Sequence, residues 1–104
     1  MFKSNKILKN IPISEEEFNE KIEEKVLEYI EPFKNRIISR MNNDLCLYEA
    51  IHFPPVDKSF VSNNLIFIKN KLNNFFLQYN LQITEFSFNS RGHLEYIMRF
   101  VEKK

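Results

Sequence analysis

Only one glycine, Gly92, occurs in the 104 residues of this chain. Glycine adopts positive φ without steric cost, so a tight turn of that kind is most easily made here. The segments on either side, LQITEFSFN and HLEYIMRFVEK, alternate apolar and polar residues in the manner of half-buried strands. Ser90-Arg91-Gly92 lies between them, and three loop residues with glycine last fit a type I turn followed by a left-handed bulge residue. That register pairs Asn89 with His93 and sets Phe88 opposite Leu94 and Phe86 opposite Tyr96. With Met98 and Phe100 these residues form one apolar face. The other face carries Asn89, His93, Ser87, Glu95, Glu85 and Arg99, and turns apolar at Ile97, Ile83 and Val101. A two-residue loop would set polar residues opposite Leu94 and Tyr96, so the pattern selects the longer loop.

The start of the chain contains a second strong local signal. Ser14 and Glu17 have the spacing of a capping box, and Ile13 and Phe18 that of a hydrophobic staple. A helix beginning at residue 15 places Glu15, Glu16 and Glu17 at the positive end of its dipole. At 100° per residue, Phe18, Tyr29, Ile22, Phe33, Val26, Ile37 and Ile30 share an arc of roughly 120°. The stripe keeps its register across Pro32, so the spacing predicts one helix from 15 to about 41, kinked or broken near Pro32 and closed by Asn42 and Asn43. Residues 45–53, LCLYEAIHF, predict a strand buried on both faces, with a short helix capped by Asp44 as the alternative. Val61, Leu65, Ile68, Leu72, Phe75 and Tyr79 recur at helical spacing and predict a central helix over 59–79, with Asn80 at its end.

The fold class is then α+β. Two helices, the first long and kinked near Pro32, pack on one face of a small, about three-stranded sheet that ends in a C-terminal β-hairpin. Strands 45–53 and 81–89 are expected to be parallel through a right-handed crossover. Residues 1–13 are expected to form a tail or short edge strand, and 14–104 a single domain. A composition 43% hydrophobic and 28% charged, with eleven Phe, suffices for a core without disulfide or metal. The lone Cys46, the absence of an apolar leader in MFKSNKILKN, and a longest apolar run of only Leu65–Ile68 fit a cytoplasmic protein without a membrane segment. Thirteen Asn, twelve Ile and eleven Lys use AT-rich codons, so part of the bias points to an AT-rich genome, that of a bacterium, its phage or another such source, rather than to special chemistry.

Chemistry is sparse. One glycine excludes a Gly-rich phosphate loop and a glycine-flanked serine elbow. The sequence has no cysteine pair and no ligand-spaced His/Asp cluster, so no metal and no cofactor are expected. Cys46 reads as a small core residue and His52 as a strand-end residue. The catalytic candidates are Arg91, His93, Glu95 and Arg99 at and beside the hairpin tip, where a base, an acid and a phosphate clamp would make a small metal-free ribonuclease. Lys3, Lys6, Lys9, Arg91, Arg99, Lys103 and Lys104 outline a basic rim for nucleic acid.

Charge distribution is the most informative feature. Residues 14–31 hold eight Glu and two Lys, a net −6 in a chain of net +1. Glu16, Glu20, Glu23, Glu24, Glu28 and Glu31 lie opposite the apolar stripe, where a solvated face belongs. Two details go further. Glu16–Glu20, Glu20–Glu24 and Glu24–Glu28 are like-charge i,i+4 pairs, each costing about 0.2–0.5 kcal/mol. Leu27 sits inside the Glu arc, as in a contact site for a basic partner. The expectation is a small protein-binding module acting through this helix, of the inhibitor, immunity or phage anti-defence kind. A nucleic-acid-binding protein and a ribonuclease are the alternatives. A homodimer through the edge of the last strand is a further expectation.

Overall fold

The computed structural model describes residues 11–102. Most of the expected tail or edge strand at 1–13 lies outside that range, and residues 11–13 form neither helix nor strand. Helix α1 (Glu15–Asp44) begins as its sequence specifies, with the Ser14 hydroxyl accepting the Glu17 amide at 3.1 Å. It runs unbroken through Pro32 for about 45 Å. Pro32 is exposed, so the carbonyl deprived of its amide partner lies toward water. Val26, Ile30, Phe33 and Ile37 are its buried residues. The end differs from the expected Asn42–Asn43 closure. The helix continues to Asp44, and Leu45 closes it in the left-handed conformation, φ 55° and ψ 40°. The amides of Leu45 and Cys46 then satisfy the carbonyls of Met41 and Arg40, both at 3.2 Å.

The central helix is two helices. Helix α2 (Pro55–Asn63) starts earlier than expected, with proline in its first turn, where no amide is required. Helix α3 (Leu65–Phe76) follows directly and ends in a 3-10 turn, Leu77–Tyr79. The break falls at Asn64, whose side-chain amide donates to the Phe60 carbonyl at 2.9 Å and so competes with the helical ladder. The register of apolar residues survives the break, because Val61, Ile68, Leu72 and Phe76 all reach the core. Asn80 closes the 3-10 turn at φ 58°, as its position predicts.

Strands β1 (Tyr48–Ile51), β2 (Leu81–Phe88) and β3 (Leu94–Phe100) form one antiparallel sheet in the order β1-β3-β2. The predicted hairpin register is observed: Phe88 faces Leu94, Phe86 faces Tyr96, and Asn89 bonds His93 across the turn. Gly92 takes φ 81°, and the Asn89 side chain accepts the Arg91 and His93 amides.

Three expectations are corrected by the strand order. The last strand is central, with both its edges paired, so it offers no edge to a second copy. Strands β1 and β2 run in the same direction but are not neighbours, because β3 lies between them. Strand β1 is an edge strand of which Ile51 alone is fully buried, rather than a strand covered on both faces. A fourth correction concerns Ile83. An extra residue at Thr84 bulges β2, so Ile83 and Leu81 swing onto the apolar face with Phe86. Phe100, expected on that face, is mostly exposed.

The helices cover one face of the sheet, and the core lies between. At its centre an aromatic chain links the two layers. Tyr29 stacks on Phe60, and Phe33 meets both Phe53 and Phe86 edge-on. The outer sheet face is open: Tyr48, Ala50, Glu85, Ser87, Glu95, Ile97 and Arg99 are all exposed.

Candidate functional site

The periodicity that buries Val26 and Ile30 turns the Glu residues outward. Glu16, Glu20, Glu23, Glu24, Glu28 and Glu31 are all exposed. Two of them are partnered: Glu23 meets Lys71 of α3 at 3.5 Å, and Glu31 meets Lys34 at 3.0 Å. Glu16, Glu20, Glu24 and Glu28 form no ion pair among the described residues. Leu27 stands among them, 52% exposed. The result is a strip of carboxylates around one aliphatic side chain, on a helix whose opposite side is fixed by the core from Val26 onward. Such a strip attracts a cationic surface and gives it one apolar contact.

The hairpin tip gathers a different set. Arg91 is exposed in the turn, His93 is half-buried, and Glu95 is exposed with its carboxylate held by Asn89 Nδ2 at 3.0 Å. Arg99 is at the far end of β3, six residues and roughly 20 Å from His93, so it does not join them. In its place the fold brings His52, whose ring centroid lies 5.0 Å from that of His93. Lys3, Lys6, Lys9, Lys103 and Lys104 of the basic rim lie outside the described residues, and Arg91 in the turn and Arg99 near the far end of β3 lie at opposite ends of the hairpin.

Sequence reasoning missed a polar cluster where α1 crosses the sheet. Glu49 of β1 points to the helix side, with its side chain only 12% exposed. Its Oε2 accepts both Nε and Nη2 of Arg36, the former at 2.8 Å, and its Oε1 accepts the Tyr96 hydroxyl at 3.3 Å. Burial, with the Glu49 carboxylate next, raises the Tyr96 phenol above its ordinary range. The available signal was Glu49 on the inward parity of an otherwise apolar strand. The cluster fastens the edge strand to α1.

A shallow apolar groove of about 380 Å³ lies at the other end of the sheet, bounded by Ile38, Met41, Phe76, Tyr79, Leu81 and Phe100. Among the described residues no group of three or more His, Cys, Asp or Glu is placed to hold a metal ion. No described helix is long and apolar enough to cross a membrane. No protein-family model, curated protein or solved structure matches the chain.

Proposed function

We propose that this α+β domain is a cytoplasmic protein-binding module whose acidic α1 face docks a partner with a basic surface. The observation that carries the reading is Leu27, half-exposed within a strip where Glu20, Glu24 and Glu28 have no ion-pair partner among the described residues. A face shaped only by stability would relieve its i,i+4 repulsions with interleaved lysine. Here Lys25 is turned away over the Phe60 ring, 5.0 Å from its centroid. Inhibition by covering a basic surface, as immunity and phage anti-defence proteins do, is the job this reading assigns.

The test is affinity capture from the native host with the wild-type chain and with the triple variant Glu20→Lys, Glu24→Lys and Glu28→Lys. Capture of a specific protein that weakens in raised salt and is lost in the variant supports the reading. Equal capture by both chains overturns it. The exposed positions leave the fold intact in the variant, which circular dichroism verifies.

A further inference from the structure

His52 and His93 are distant in sequence, and the β1–β3 register alone brings them together. Tyr48 pairs with Ile97 and Ile51 with Leu94, so one step further along the ladder sets His52 opposite His93. Side chains alternate along strands, so both imidazoles share the open outer face with Ala50 and Glu95. Their ring centroids are 5.0 Å apart and their planes meet at 84°. Two imidazoles bound to one tetrahedral ion at about 2.1 Å would place their centroids about 5 Å apart, which matches this pair.

Both residues are held by their surroundings, His93 through hydrogen bonds and His52 through the packing of its neighbours. The His93 amide donates to Asn89 Oδ1 at 3.0 Å, and its carbonyl accepts the Asn89 amide at 2.8 Å. His52 sits between buried Ile51 and the partly buried Phe53, whose ring packs against Tyr29, Phe33 and Phe88. A ligand at this point orders little that is not ordered already. Glu95 stands two residues along β3 on the same face and adds a negative charge.

We propose that His52 and His93 form a two-imidazole site for a divalent transition-metal ion such as Zn²⁺ or Ni²⁺, with water in the remaining positions. Neutral imidazole suits these ions and discriminates against Mg²⁺ and Ca²⁺. With two protein ligands the ion is exchangeable, and its effect is to clip edge strand β1 to β3. The site is independent of the acidic helix and of whatever that helix binds.

The test is isothermal titration calorimetry of the whole chain with Zn²⁺, Ni²⁺ and Mg²⁺, with thermal melts in parallel. One Zn²⁺ or Ni²⁺ binds per chain, Mg²⁺ does not, and His52→Ala or His93→Ala weakens binding about tenfold or more. Zn²⁺ raises the melting temperature of the wild type and not of the variants. The proposal is overturned if the wild type binds Zn²⁺ no more tightly than His52→Ala, or if Mg²⁺ raises the melting temperature equally. Should His93→Ala fail to fold, His52→Ala decides alone, because its side chain is exposed.

Discussion

Leu45 holds a left-handed backbone while 87% exposed, so it bears the steric cost of that conformation and gains almost no burial in return. Leu45→Gly is therefore expected to stabilise the fold by about 0.5–1 kcal/mol, seen as a higher urea midpoint at unchanged slope. Tyr29 shows the opposite economy, a half-buried ring whose hydroxyl lies beside a carboxylate. Burial, and then the Asp57 carboxylate beside it, push its phenol from 10.0 up to about 12. The sign follows from linkage. A phenol that ionises less readily folded than unfolded stabilises the fold fully below the unfolded value, and that contribution fades as pH rises through the folded one. Burial moves Tyr96 in the same direction. Melting temperature should accordingly fall between pH 10 and 12, and Tyr29→Phe should flatten that fall.

Helix α1 is unevenly supported along its length. Residues 15–21 are all exposed, and Val26 is the first fully buried position. Its first two turns thus depend on the Ser14 cap, whose loss costs about 1 kcal/mol. Ser14→Ala should accelerate amide exchange in residues 18–21 about fivefold and leave the exchange of Leu72 and Leu94 unchanged. The local rules that predicted this cap also predicted the hairpin turn and Asn80, because each concerns residues only a few positions apart. The bulge at Thr84 left a trace too: apolar residues fall at 81 and 83, then at 86 and 88, a change of parity that only an inserted residue can reconcile. The break at Asn64 left none, since the apolar spacing runs straight through it. His52 was read as an ordinary strand end because its partner is chosen by strand pairing, which no local pattern contains.

At the scale of the whole molecule, β3 is the one described strand that is hydrogen-bonded to both of the others. A chain ending at Gly92 would leave β1 and β2 without their common strand partner and would uncover Ile51, Ile83 and Phe86 on that side. It should show no cooperative urea transition, and a sigmoidal one would contradict this account of the sheet. The acidic face of α1 depends on the same strand indirectly, because Tyr96 and Leu94 lie in the core that α1 covers. The central strand is also made after both of the strands it joins. Until it emerges, a nascent chain holds two strands with no partner and helices with no sheet to cover. Folding therefore cannot proceed element by element during synthesis, and the core closes in one event once β3 has emerged.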